Sequence, residues 1–160
     1  MQLRSTEKLL KSWVPNKMAR LRITKVSLVD VEYIAHRLAQ ELMDFNEPIP
    51  PFDTRFPDKL ESCLKTPFQT FDHKSLYQTI ETKASILFYL MIKNHPFQNG
   101  NKRVVIMTLI YFLVLNRRRL TLTNQALYEF SKGVASSNPR DKDSVLATIR
   151  DRLIKNSTRV

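Results

Sequence analysis

Glycine is nearly absent from this chain, with two residues in 160, where average usage of about 7% would give roughly eleven. That scarcity argues against a β-sandwich, and against a dinucleotide fold with several glycine turns. There is one cysteine, Cys63, so no disulfide framework exists and a thiolate metal site has no second ligand nearby. The three histidines, His36, His73 and His95, are never four residues apart, which leaves no zinc-type pair on a helix. No apolar run approaches the roughly 20 residues of a membrane span. The longest is Val104–Leu115, interrupted only by Thr108. The N-terminal stretch is charged throughout and lacks the apolar centre of a secretory signal, so a cytoplasmic, reducing setting is expected.

What is plentiful is positive charge and apolar helix pattern. Lys and Arg number 26 against 15 Asp and Glu, a formal charge of +11, which favours anionic partners through long-range attraction. The apolar fraction of 42% is ample for one core. Residues 1–25 read as a basic arm, with a short strand expected at Leu21–Ile23. Residues 26–156 read as the domain, and 157–160 as a frayed tail. Ser27 with Asp30 forms an approximate capping box, and Val31, Ile34, Ala35, Leu38 and Leu42 then share one helical face to about Asp44. Four prolines between Asn46 and Pro57 exclude a helix there. Pro57 suits the first position of the next helix, with Leu60 and Leu64 inward.

The segment Thr66–Phe71 reads as a loop carrying Phe68 and Phe71, each either a core anchor or a clamp for a target segment. From Asp72 or Ser75 a longer helix is expected to about Lys93, apolar nearly all round in its second half. Asn101–Asn116 is a second helix of that kind, and both belong in a core. Two amphipathic helices, Thr123–Ser136 and Lys142–Lys155, complete an all-α domain of about six helices. Arg117–Arg119 reads as a solvated cap on a helix C-terminus, and His36 and His73 as surface residues.

The segment between the two apolar helices, His95–Arg103, concentrates the chemistry. Pro96 moves His95 out of the helical region, and imidazole serves as a general base near neutral pH. Phe97 is an apolar anchor for the loop. Gly100 allows positive φ or close approach of a ligand. Asn101, Lys102 and Arg103 open the next helix, where unpaired N–H groups, the dipole and two cations make an anion site suited to phosphate.

This segment, HPFQNGNKR, resembles the signature of the Fic/Doc superfamily, His-Pro-Phe-x-Asp/Glu-Gly-Asn-Gly/Lys-Arg. Lysine at the eighth place is similar to the death-on-curing (Doc) branch. The likeness extends through Leu60–Leu64, Lys83–Ala84, Lys93–Asn94 and Val114–Asn116, and covers about residues 28–122. It implies transfer of part of a nucleoside triphosphate such as ATP to a protein hydroxyl: a nucleotidyl group in most Fic proteins, the terminal phosphate in Doc, whose target is a translation factor. Carried over, His95 is the base, Gly100 and Asn101 form the anion hole, and Lys102 and Arg103 neutralise phosphate oxygens.

One position departs from the pattern. Asn99 stands where the family has the acidic Mg²⁺ ligand, and a neutral amide holds a hard cation less well than a carboxylate; weakened metal binding and attenuated activity follow as expectations. No Glu is followed by Gly or Asn, so the inhibitory Ser/Thr-x-x-x-Glu-Gly/Asn helix of many Fic proteins is missing. The Doc likeness implies a separate antitoxin chain, a protein substrate, no requirement for nucleic acid or membrane, and a bacterial cytoplasm. The competing class is a basic nucleic-acid-binding module, with Arg117–Arg119 and a helix–turn–helix over Thr123–Lys155 as its support.

Overall fold

The computed structural model describes residues 22–42 and 48–160, so most of the basic arm and the end of the first helix lie outside the described residues. Helix α1 (Leu28–Asp30) starts with the expected capping box: Ser27 N–H donates to Asp30 Oδ2 at 2.7 Å and Asp30 N–H to Ser27 Oγ at 3.2 Å. It runs into a π-helical stretch, Val31–His36, and then α2 (Arg37–Leu42). Arg22 and Ile23 form no strand, and Leu21 lies outside the described residues. At Thr24 the backbone is instead bracketed by one side chain, Asn116, whose Oδ1 accepts from Thr24 N–H at 2.7 Å and whose Nδ2 donates to Thr24 O at 3.0 Å.

Helix α3 (Pro57–Lys65) carries Pro57 at its first turn and buries Leu60 and Leu64. Helix α4 (Ile80–Asn94) and helix α5 (Asn101–Leu115) are the centre. Every residue of α5 from Arg103 to Val114 is buried. A side chain with no apolar alternative on any face has nowhere else to go, and its few polar groups are satisfied locally: Thr108 Oγ1 donates to Val104 O at 2.8 Å. Around this pair lie the π-helical stretch, α3, α6 (Asn124–Ser136) and α7 (Lys142–Lys155). α6 and α7 each pack chiefly on the central pair rather than on one another, so the expected helix–turn–helix is not formed. Lys93 Nζ ties α6 in place by donating to Ala135 O and Ser137 O at 3.1 and 2.5 Å.

Four further expectations are corrected. The long helix starts at Ile80, capped by Thr79, not at Asp72 or Ser75. Before it, β1 (Thr70–Phe71) and β2 (Lys74–Ser75) pair as a hairpin. Its two turn residues, Asp72 and His73, have φ of 48° and 59°, the sign a tight hairpin turn of this length demands. The tail is not frayed: β4 (Ser157–Arg159) pairs antiparallel with β3 (Arg118–Leu120). Arg117–Arg119 is therefore not a simple solvated cap, since two of its members are in a strand and Arg118 Nε lies 3.2 Å from Glu81 Oε1. His36 is not a surface residue either; it is 5% exposed, with Nε2 2.9 Å from Pro50 O.

Lys83 is the unexpected element of the core. It is 5% exposed, donates to Pro67 O at 2.8 Å and Ser75 Oγ at 3.0 Å, and stands 4.5 Å from the centroid of Phe68. No described carboxylate pairs with it. Burial, and secondarily the charge of Lys25, push its pKa below the ordinary 10.5. A folded-state pKa lower than the unfolded one means that the unfolded chain holds more protons between the two values, so this group adds stability as pH rises through that window. Thermal midpoints measured across that range, native chain against Lys83→Met, should show an alkaline gain in the native chain that the variant lacks. Parallel curves would contradict the assignment.

Candidate active site

The loop between α4 and α5 is built from backbone conformations that few residues accept. His95 ends α4 in the left-handed region, φ 46° and ψ 66°. Pro96 blocks the right-handed helix at the preceding residue, and histidine is among the residue types that tolerate this region at a strain of about 1 kcal/mol. The imidazole is exposed while Pro96 and Phe97 are buried. Gly100, also left-handed at φ 74°, is the N-cap of α5.

One side chain closes the loop. Asn101 Oδ1 accepts from Phe97 N–H at 2.9 Å, and Asn101 Nδ2 donates to Phe97 O at 2.8 Å. Both polar groups of a buried residue are thus satisfied by the first residue of the next helix. The Asn101 amide, expected at a phosphate, is committed to the loop; what Asn101 offers an anion is its place at the helix N-terminus. Asn99 Oδ1 accepts from Gly100 N–H at 2.7 Å, so the side-chain oxygen at this position is neutral and already engaged. No described group of three or more His, Cys, Asp or Glu could hold a metal. Toward a Mg²⁺ ion Asn99 would present a neutral amide oxygen, a poorer ligand for a hard cation than a carboxylate.

Arg103 is buried, and its Nη2 lies 3.3 Å from where a Cβ on Gly100 would stand. Its guanidinium therefore underlies the N-terminus of α5, whereas Lys102 is half-exposed beside it. Helix dipole and cation act in the same direction at this point.

The sequence reading missed the strap that holds the loop from the other side. Ile49 Cγ1 lies 2.7 Å from the position of a Gly100 Cβ. Phe52 and His36 both meet the Phe97 ring, at centroid distances of 6.0 Å. Phe56 N–H donates to Pro96 O at 2.8 Å. Arg55, on the same strap, stacks at 4.2 Å on Phe52, and its buried Nε has no hydrogen-bond partner among the described residues. The signal was present in the proline-dense stretch, which holds Ile49 and Phe52 between its prolines: apolar residues in a segment that cannot be a helix must pack as an extended strap.

The two candidate clamps are not brought to the motif. The ring of Phe68 packs against Phe112, between Lys25 and Lys83. Phe71 is 76% exposed, but its hairpin is rooted on Lys83. His95 lies twelve positions beyond Lys83 at the end of α4, about 18 Å along the axis, and a strand of two residues extends only about 7 Å.

Gly100→Ala should destabilise the fold by roughly 1–3 kcal/mol through positive φ and the clash with Ile49. Adding Ile49→Ala should restore only the part due to the clash, as read from urea midpoints. A single Gly100→Ala variant of unchanged stability would contradict the loop geometry.

A model described as the Fic/DOC family matches residues 25–113, more than half of the chain, from just before α1 through nearly all of α5. No curated protein and no solved structure matches. The matched span contains the strap, α4, all but the last two residues of α5 and the whole loop from His95 to Arg103, and the chain belongs to the Fic/Doc family.

Proposed function

We propose that this chain is a Doc-like transferase, moving the terminal phosphate of ATP or another nucleoside triphosphate to a hydroxyl of a protein target, as the toxin of a toxin–antitoxin pair in a bacterial cytoplasm. The observation that carries the reading is the closed loop of His95 to Asn101. It holds an exposed imidazole and the N-terminus of α5 on one short frame.

In this reading His95 takes the proton of the target hydroxyl. The hydroxyl oxygen forms a bond to the terminal phosphorus, the bridging P–O bond breaks, and the nucleoside diphosphate leaves with its charge held at the start of α5. Lys102 and Arg103 offset that charge, since phosphoryl transfer is catalysed chiefly by position and electrostatics. Mg²⁺ bound with the nucleotide would offset phosphate charge, and Asn99 would offer it only a neutral amide oxygen. Lys102 at the place of a second glycine fills space beside the phosphates, which favours terminal-phosphate transfer over the nucleotidyl alternative, in which the α-phosphorus is attacked and pyrophosphate leaves. The missing inhibitory glutamate motif supports restraint by a separate antitoxin chain.

The test uses ATP labelled at the α- or the γ-phosphate, purified protein, Mg²⁺ and a bacterial lysate. γ-Label should pass to protein and fall at least about a hundredfold in His95→Ala. Asn99→Asp should raise transfer roughly tenfold by restoring an anionic ligand. α-Label would establish the nucleotidyl alternative. No His95-dependent label from either position, in the native chain or in Asn99→Asp, would overturn the enzymatic reading.

A further inference from the structure

We infer that His36 and Gln40 are positioning residues for the anion site at Gly100, acting through the strap and touching no substrate themselves. The inference deepens the transferase reading and rests on it.

A π-helical turn delivers the histidine. Along a regular α-helix His36 would stand about 140° around the axis from Val31. Over Val31–His36 the winding is instead π-helical, which brings residues five apart into line. Val31 and His36 therefore share one side, at 0% and 5% exposure. Gln40 follows four residues later on α2, a spacing that keeps it on the side of His36.

Both side chains end on the strap. Pro48, Pro50 and Pro51 have no N–H, so no ladder can fasten this stretch, and its carbonyls need donors from elsewhere. Pro51 O receives Thr54 N–H at 3.0 Å and Phe52 O receives Arg55 N–H at 3.2 Å, both within the strap. The two carbonyls before them are served from the first helical segment. Gln40 Nε2 donates to Ile49 O at 3.2 Å, and His36 Nε2 stands 2.9 Å from Pro50 O. A carbonyl only accepts, so Nε2 of His36 carries the proton and donates it.

The side chain held by this grip is Ile49. It is buried, and its Cγ1 and Cδ1 stand 2.7 and 3.3 Å from where a Gly100 Cβ would be. Glycine has the widest choice of backbone conformation, and the φ of 74° at Gly100 sets the direction in which the first N–H groups of α5 point. Ile49 confines Gly100 from one side, and Asn99 Oδ1 holds its N–H. Packing alone does not call for a histidine here. The His36 ring meets Phe52 and Phe97 at 5.4 and 6.0 Å, contacts that a phenylalanine would also make. What the imidazole adds is the donor.

The test compares the full native chain with three variants. His36→Phe keeps a ring and removes the donor, and His36→Gln supplies an amide nitrogen in its place. Gln40→Leu removes the second donor at an exposed position, and decides the matter alone should His36→Phe not fold. The Gly100 amide shift is read by NMR in the free chain, and affinity for a non-hydrolysable ATP analogue with Mg²⁺ by titration calorimetry. In His36→Phe the Gly100 amide should move, and the analogue should bind roughly tenfold more weakly. His36→Gln should restore both, and Gln40→Leu should show the same displacement with a smaller loss of affinity. An unmoved Gly100 amide or an unchanged affinity in the donor-less variants would overturn the inference. So would a His36→Gln variant no better than His36→Phe, since ring packing and not the bond would then matter. A native chain that binds no analogue would overturn the transferase reading, and this inference with it.

Discussion

Two helices without a polar face have to lie side by side, and the chain must reverse between them without opening the core they form. The rest of the molecule follows from that constraint. Every residue of α5 from Arg103 to Val114 is buried, so α5 needs neighbours all around it, and the outer helices supply them. The reversal itself cannot be long, because residues removed from helix must still satisfy their backbone groups. The loop does so with a single amide side chain, Asn101, bonded to both the N–H and the C=O of Phe97. An exposed histidine and a helix N-terminus sit on this reversal, and the core on which it rests makes it rigid.

Polar anchoring at the far pole follows the same logic by different means. Lys83 holds the hairpin with two hydrogen bonds and a ring contact instead of a carboxylate. Asn116 brackets Thr24 much as Asn101 brackets Phe97. In both cases an asparagine at an end of α5 uses donor and acceptor together to fasten a segment that has no regular structure to offer it. The molecule thus has a motif end, marked by His95 and Gly100, and an anchoring end, marked by two small sheets and a concentration of arginine.

The helices were legible wherever periodicity or caps carried them. Ser27 with Asp30, Pro57, Thr123, the helix from Asn101 and the apolar second half of α4 stand where pattern places them. The motif was legible because nine consecutive residues of defined character lie between those helices. What pattern could not show was tertiary. Strands of two or three residues are too short for alternation to register, so β1 falls in a stretch that reads as loop, β2 at the expected start of a helix, and β4 in an expected frayed tail. His36 lies on a helical segment beside charged residues, and only its contacts with Phe52, Phe97 and Pro50 explain its burial. Ile49 at Gly100 is a contact between segments about fifty residues apart, and nothing local announces it. For Phe68 the inward reading holds, because the ring has Phe112 to meet.

The central claim is that the loop from His95 to Arg103 is a preformed anion site on the N-terminus of α5. Backbone amide NMR of the isotopically labelled chain, titrated with a non-hydrolysable ATP analogue and Mg²⁺, tests it most directly. The amides of Gly100, Asn101 and Lys102 should shift with saturation, while the Phe97 amide keeps the slow exchange that its bond to Asn101 confers before and after nucleotide. Shifts confined to other parts of the chain, or a Phe97 amide that becomes protected only once nucleotide is bound, would contradict it.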